Sequence, residues 1–92
     1  MTAQRIFKYS LPVTTGVVVV EMPRRATLLF FAEDPQGALC VWAQVDPTHE
    51  TVGHAVHIAF TGDHLPSGSY VGSCVLRKEP IVVHLYDLGE AP

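Results

Sequence analysis

The residues from 26 to 45 read ATLLFFAE-DPQG-ALCVWAQV, two apolar runs on either side of a turn. Asp34-Pro35-Gln36-Gly37 places proline where a φ of about −65° is required and glycine where a left-handed residue is required. This arrangement predicts a β-hairpin closed by a type I turn with a following bulge. The turn also fixes which residues lie opposite each other: Phe31 and Val41, Leu29 and Ala43, Phe30 and Trp42, Ala32 and Cys40.

Both faces of this predicted hairpin are apolar. We therefore expect it to be covered on both sides. A two-layer sandwich covers only the inner face of each sheet, so either the Phe31 side or the Phe30 side needs another cover. Two interpretations fit Trp42 and Phe30: they are core residues, or they form an interface, where tryptophan is enriched among the residues that dominate binding.

Turn signals recur about every ten residues along a chain rich in Val, Ile, Thr, Phe and Tyr, and no segment has a helical period. The chain is short enough to form a single domain, residues 1–92. The fold class predicted is all-β, a small antiparallel β-sandwich or barrel of six to seven short strands. The predicted strands are Arg5–Tyr9, Val17–Met22, Ala26–Glu33, Ala38–Val45, Val52–Thr61, Tyr70–Leu76 and Ile81–Tyr86.

Composition limits the classes of partner. Hydrophobic residues make up 48% of the chain and charged residues only 16%, against about 25% charged in an average soluble domain. This shortage of charge predicts a homo-oligomer or a permanent protein partner. The net charge of −3 and the scattered six Lys and Arg leave no basic stripe for phosphates, so we expect no nucleic-acid binding.

Membrane insertion and secretion are also not expected. The longest apolar run, Ala26–Ala32, is far shorter than the roughly 20 residues of a membrane helix. No long hydrophobic segment follows the start Met1–Arg5, so the sequence predicts no secretory signal and a cytosolic location. In that compartment Cys40 and Cys74 are interpreted as reduced, small core residues.

A second hairpin provides the candidate ligand site. The turn Arg77–Pro80 joins Leu76 to Ile81 and predicts Ser73 opposite His84. This polar pair lies in an apolar frame of Val71, Val75, Val82 and Tyr86, while the opposite face is expected to be core (Leu76, Cys74, Ile81, Val83 and Leu85). Together with His64 in the long loop 61–68, the sequence predicts a small-molecule site formed by Ser73, His84, Tyr86 and His64. The alternative is a satisfied polar pair beneath a second covered face.

Catalytic and metal chemistry receive little support from the spacing of the residues. His54 and His57 point to opposite faces of one strand, and neither cysteine has a C-x-x-C partner. We therefore expect no metal and no cofactor, although a site built from His64 and His84 remains an alternative. Ser67 lies in a loop tip rather than a nucleophile elbow, and thiols in apolar strands have raised pKa values. No catalytic residue is assigned, and a hydrolase built around His64 and His84 is the last alternative.

The order of several short segments resembles a family of small uncharacterised proteins of tailed bacteriophages and prophages. The resemblance extends from about residue 5 to residue 87. It rests on Ile6-Phe7-Lys8-Tyr9, Glu21-Met22-Pro23, Leu39-Cys40-Val41-Trp42-Ala43, Val45-Asp46-Pro47, Thr61-Gly62-Asp63-His64-Leu65-Pro66, Tyr70-Val71-Gly72 and Val83-His84-Leu85-Tyr86. The resemblance implies a phage-encoded protein that acts in the host cell cytoplasm or in a virion. It brings no catalytic residues with it.

These observations favour a non-enzymatic binding protein. The function expected is a small phage accessory protein, for host takeover or anti-defence, that contacts a host or phage protein and associates with itself. One alternative is sequestration of a small signalling nucleotide in a pocket at an oligomer interface. Another is a virion decoration or structural protein.

Overall fold

The computed structural model describes residues 3–91 of the chain. This part contains seven strands and no helix. No segment of this part is therefore a helix that could cross a membrane. The strands are β1 (Arg5–Ser10), β2 (Gly16–Pro23), β3 (Thr27–Glu33), β4 (Leu39–Val45), β5 (Thr51–Phe60), β6 (Ser69–Val75) and β7 (Val82–Glu90).

The strands form two antiparallel sheets, one with the order β1-β4-β3 and the other with the order β2-β5-β7-β6. The sheets pack face to face in a body of 43 × 30 × 16 Å. β3 lies beside β6, where a Cβ added at Gly72 would be 3.5 Å from the Cβ of Phe31. The prediction of an all-β sandwich is confirmed.

Alternation of side chains along the strands explains the core. In β5, His54, Val56 and Ile58 are buried, whereas Ala55 and His57 point away from the core and are half-buried. The main core joins the inner faces of both sheets and contains Leu11, Phe31, Leu39, Val41, Val56, Ile58, Leu76, Val83 and Leu85. A smaller cluster contains Met22, Ala43 and Val45.

The first hairpin has the predicted turn and most of the predicted register. Phe30 pairs with Trp42, Phe31 with Val41 and Ala32 with Cys40, and Gly37 has a φ of +88°. The prediction that Leu29 faces Ala43 is wrong, because a β-bulge places Leu28 opposite Ala43 instead. The extra residue lets the strand twist and leaves the Leu29 side chain exposed.

That hairpin is covered on one side only within the described chain. Phe31 and Val41 are buried between the sheets, whereas Phe30 is 59% exposed. Trp42 is half-buried beside Phe30 on the outer face. The core interpretation of Phe30 and Trp42 is therefore wrong, because alternation along β3 and β4 directs Phe31 and Val41 inward and this pair outward.

The second hairpin is also paired as predicted near its turn. Ser73 pairs with His84, and the Leu76 amide donates to the Ile81 carbonyl at 3.0 Å. Further from the turn a bulge lies between Tyr70 and Gly72. It turns Val71 toward the core. The prediction that Val71 frames the Ser73–His84 pair is therefore wrong, and Tyr70 occupies that side of the sheet.

The last strand is longer than predicted, since β7 continues beyond Tyr86 to Glu90. A bulge between the Ala55–Gly89 and Val56–Asp87 pairs lets the strand continue. Gly89 adopts a φ of +90° there, and its amide donates to the Asp87 carboxylate at 2.8 Å. Glycine tolerates this left-handed conformation without steric cost. The other strand ends differ from the prediction by at most one residue.

Candidate functional site

A chain of hydrogen bonds lies on the outer face of the four-stranded sheet, and we call its members Tyr70, Ser73, His84 and Thr61 the His84 network. Ser73 Oγ is 2.7 Å from His84 Nδ1. On the other side of the ring, Thr61 Oγ1 is 3.0 Å from His84 Nε2. The Tyr70 hydroxyl lies 2.6 Å from Ser73 Oγ. The predicted Ser73–His84 pair is thus a direct contact with partners on both sides.

The strand register creates this network. Ser73 and His84 are cross-strand neighbours in the β6–β7 ladder, and neighbours on one face of a sheet have Cβ atoms about 5 Å apart. Thr61 follows the last residue of β5, where its amide donates to the Val82 carbonyl at 3.4 Å. Two strands and one strand end therefore hold the imidazole ring from opposite sides.

Both ring nitrogens of His84 have hydroxyl partners. The hydroxyls of Ser73 and Thr61 can donate or accept a hydrogen bond, so either tautomer of the ring can be bonded on both sides. The network therefore fixes the position of the ring.

The same network is poorly built for nucleophilic catalysis. In a Ser–His–Asp triad a buried carboxylate orients the second ring nitrogen and stabilises the imidazolium. Here that nitrogen contacts the Thr61 hydroxyl, and the Ser73 hydroxyl is shared with Tyr70. The arrangement is suited to positioning an aromatic surface rather than to activating the serine.

Two tyrosines, Tyr70 and Tyr86, lie on the same face of the sheet as His84. The rings of Tyr70 and Tyr86 meet edge to face with centroids 5.6 Å apart, a favourable geometry for aromatic pairs. Tyr86 pairs with His57 on β5 and is half-buried, whereas Tyr70 is 59% exposed. Tyr70 is not among the site residues predicted from the sequence, because the bulge after it cannot be predicted from residue spacing.

An open cavity of about 210 Å³ lies next to the network, beside the loop that follows β5. Its walls include His64, His84 and Tyr86, so the structure brings these sequence-predicted residues together. Ser73 lies outside the lining and reaches the cavity only through His84. The remaining lining residues are Ala59, Phe60, Thr61, Gly62, Asp63, Leu65 and Pro66.

Asp63 stabilises the loop that lines this cavity. Its carboxylate Oδ2 accepts the Phe60 amide hydrogen at 2.8 Å, and its own amide donates to the Phe60 carbonyl at 3.0 Å. This pair of contacts closes a tight turn directly after β5. Asp63 therefore has a structural role, and it is also the acidic residue in the cavity lining.

Metal binding gains no support from this geometry. Within residues 3–91, no three His, Cys, Asp or Glu side chains are grouped so that they could hold a metal ion. His64 and His84 share a cavity, but both nitrogens of His84 already face hydroxyls. A zinc ion needs three or four converging protein ligands.

A second surface, which we call the aromatic face, lies on the outer side of the three-stranded sheet and consists of Ile6, Phe30 and Trp42. The ring centroids of Phe30 and Trp42 are 5.5 Å apart with a tilt of 49°. Ile6 on β1 is 65% exposed and pairs with Gln44, two residues beyond Trp42 on β4. Residues from all three strands thus contribute to one apolar surface.

An ion pair borders the aromatic face. Lys8 Nζ lies 2.8 Å from the carboxylate of Asp34, and Lys8 is paired with Trp42 across the strands. This contact, with help from the Ala38 amide, lowers the pKa of Asp34 to about 2. Cys40 lies beside the same carboxylate, with Sγ at 3.8 Å. Burial raises the pKa of Cys40, which keeps the thiol protonated and unreactive.

Comparison with known proteins gives a family without an assigned activity. The family model that matches is described as a domain of unknown function, DUF7352, and the match covers residues 2–92. No curated protein matches the chain, and no solved structure matches it.

Proposed function

We propose that this chain, which belongs to the DUF7352 family, is a non-enzymatic binding protein that acts through protein–protein contact, including contact with a second copy of itself. The observation that carries this proposal is the aromatic face. Phe30 is 59% exposed and Ile6 is 65% exposed, side by side with Trp42 on one sheet. Aromatic residues are enriched at the centres of protein interfaces.

Strand pairing holds the backbone beneath the aromatic face, which favours binding. Its side chains project from three hydrogen-bonded strands, and Phe30 and Trp42 already contact each other. Little conformational freedom therefore remains to be lost when a partner covers them. Covering them also removes apolar area from water, at about 25 cal/mol per Å².

Charge does not oppose contact between two copies at this face. The chain carries a net charge of −3, but the cation on the face, Lys8, is neutralised by Asp34. Thr27 and Gln44, which pair with each other on the same side of the sheet, are uncharged. A two-fold axis through the face would place Phe30 of each copy near Trp42 of the other, as in the self-complementary interfaces of C₂ dimers.

Light scattering over a micromolar dilution series tests self-association. We expect a mass near twice 10.0 kDa at high concentration and a fall toward the single-chain mass on dilution. Phe30→Thr is expected to shift the transition to higher concentration by about tenfold or more, since hot-spot aromatics contribute about 2 kcal/mol. A single-chain mass at all concentrations would end the proposal of self-association.

The matched control is Val75→Thr. Val75 is 67% exposed but lies on β6, in the other sheet. Its substitution removes a similar exposed apolar group while keeping a β-branched side chain, and we expect no change in the dilution curve. A dimer that is lost with Val75→Thr and kept with Phe30→Thr would place the interface on the four-stranded sheet and contradict the proposal.

We also propose that the protein is phage-encoded and that its second partner is a host or phage protein. The support is the sequence resemblance over residues 5–87, not the family match. The genes beside the coding sequence test the origin: an early accessory region favours host takeover or anti-defence, and a structural cassette favours a virion role. A bacterial chromosomal setting with no phage genes would contradict the proposal.

Capture of a signalling nucleotide gains less support than protein contact. The cavity beside His84 has no Lys or Arg in its lining, and phosphates are usually held by such cations. Another cavity, of about 330 Å³, does contain Arg24 and Arg25. However, the Arg24 guanidinium already contacts the carboxylates of Glu50 and Glu90.

A further inference from the structure

We propose that the cavity beside the His84 network binds a single-ring organic molecule that carries a protonated amine. The cavity lies on the four-stranded sheet, away from the aromatic face, so this site does not depend on the proposed protein contact. Its size, its charge and its aromatic walls each limit the ligand.

The cavity volume suits a ligand group of about one ring. The cavity has a volume of about 210 Å³, below the range of about 300–1,000 Å³ that is usual for drug-sized ligands. A six-membered ring with a short substituent fits within it.

Charge selects a cationic substituent. Asp63 is the carboxylate in the lining, and neither Lys nor Arg accompanies it there. Oδ2 of Asp63 accepts the Phe60 amide hydrogen, which holds the carboxylate in place beside the cavity. An ammonium group would form a charge-assisted hydrogen bond with it, whereas an anion would be repelled.

The hydrogen bonds of His84 make Asp63 the main polar contact. Both ring nitrogens of His84 are engaged, by Ser73 and Thr61, so neither nitrogen is left to bind a ligand. Tyr86, Leu65 and Pro66 supply further apolar wall. Aromatic walls accommodate a flat ring and also attract a nearby cation.

The test uses three probes of the same shape at neutral pH and fixed salt: benzylamine, benzyl alcohol and benzoate. Binding is followed by amide chemical shifts in NMR titrations of the whole chain. We expect shifts concentrated at residues 59–65, 84 and 86, with benzylamine binding about tenfold more tightly than benzyl alcohol and benzoate not binding. Equal binding of benzoate, or shifts elsewhere on the molecule, would overturn the proposal.

Two variants identify the selecting group. Asp63→Asn keeps an oxygen that can accept the Phe60 amide hydrogen but removes the charge, and we expect it to abolish the preference for benzylamine. Glu79→Gln removes one exposed carboxylate from the turn before β7, outside the cavity lining, and should leave the preference intact. Preference retained in Asp63→Asn, with its spectrum showing a folded protein, would contradict the assignment.

Discussion

Asp34 connects the first hairpin turn to the edge strand β1. Its carboxylate contacts Lys8 Nζ at 2.8 Å and accepts the amide hydrogens of Gln36 and Ala38 at 3.0 and 2.9 Å. These contacts favour the ionised form and lower its pKa from 3.8 to about 2. Folding and ionisation of this residue are therefore coupled.

This coupling predicts an acid-sensitive contribution to stability. Because the pKa is lower in the folded state, the contribution is complete above about pH 5 and is lost as the pH falls from about 4 toward 2. Urea unfolding at successive pH values is expected to show a shallower acid decline for Asp34→Asn than for wild type. The control Glu79→Gln, at an exposed turn, should keep the wild-type decline, and equal declines in wild type and Asp34→Asn would refute the coupling.

His54 is a second residue whose role depends on one partner. It is 4% exposed, its Nε2 lies 2.7 Å from the Asp87 carboxylate, and its Nδ1 has no partner. Asp87→Ala removes that partner and also the acceptor for the Gly89 amide. We expect the free energy of unfolding to fall by about 1–3 kcal/mol, the usual cost of an unsatisfied buried polar group.

The measurement for His54 is chemical denaturation of Asp87→Ala and of Asp87→Asn. The asparagine variant keeps a side-chain oxygen at the same place and should lose less stability than the alanine variant. Glu79→Ala, at an exposed turn, is the control. If both Asp87 variants lose no more free energy of unfolding than this control, Asp87 does not stabilise the buried imidazole.

At the scale of the strands, the sequence predicted all seven elements because turn residues separate them clearly. The register of each hairpin followed from its turn, which placed Phe30 beside Trp42 and Ser73 beside His84. The bulges at Leu29, Val71 and Leu88 could not be predicted, since each depends on how the sheets twist against one another. The end of β7 was missed for the same reason, because Asp87-Leu88-Gly89 has the composition of a turn.

The candidate site was also predicted in part from the sequence. His84, Tyr86 and His64 were expected to lie together, and they share a cavity. Tyr70 was missed, since its side depends on the bulge at Val71. The engagement of Thr61 with His84 was also missed, because it requires the position of β5 beside β7, and long-range strand order leaves no local signal in the sequence.

Substitutions at Gly37 test the turn that sets the register of the β3–β4 hairpin. It has a φ of +88°, and no atom lies within 4 Å of an added Cβ, so a substitution there measures backbone strain alone. Gly37→Ala is expected to lower the free energy of unfolding by about 1–2 kcal/mol, the cost of a left-handed conformation. Gly37→Asn should cost less, since asparagine tolerates this region. Equal losses for the two variants in thermal and urea unfolding would contradict this reading of the turn.

For the molecule as a whole, the core is formed by apolar packing between two sheets. We therefore expect folding without a bound metal ion. Elemental analysis of untagged protein should show no stoichiometric transition metal, and chelation should leave the melting temperature unchanged. Near-stoichiometric zinc, with unfolding on chelation, would show that a metal contributes to the fold.

The strand order of the two sheets also has a kinetic consequence. β3–β4 and β6–β7 are local hairpins, whereas β1 pairs with β4 and β2 pairs with β5, so Arg5 must meet Val45 and Pro23 must meet Thr51. Closing such long loops before their contacts form is entropically costly, and β-sandwiches fold on the order of milliseconds to seconds. We expect the hairpins to form in the folding transition state and β1 and β2 to join afterwards. In stopped-flow experiments, substitutions in β2 should therefore accelerate unfolding more than they slow refolding.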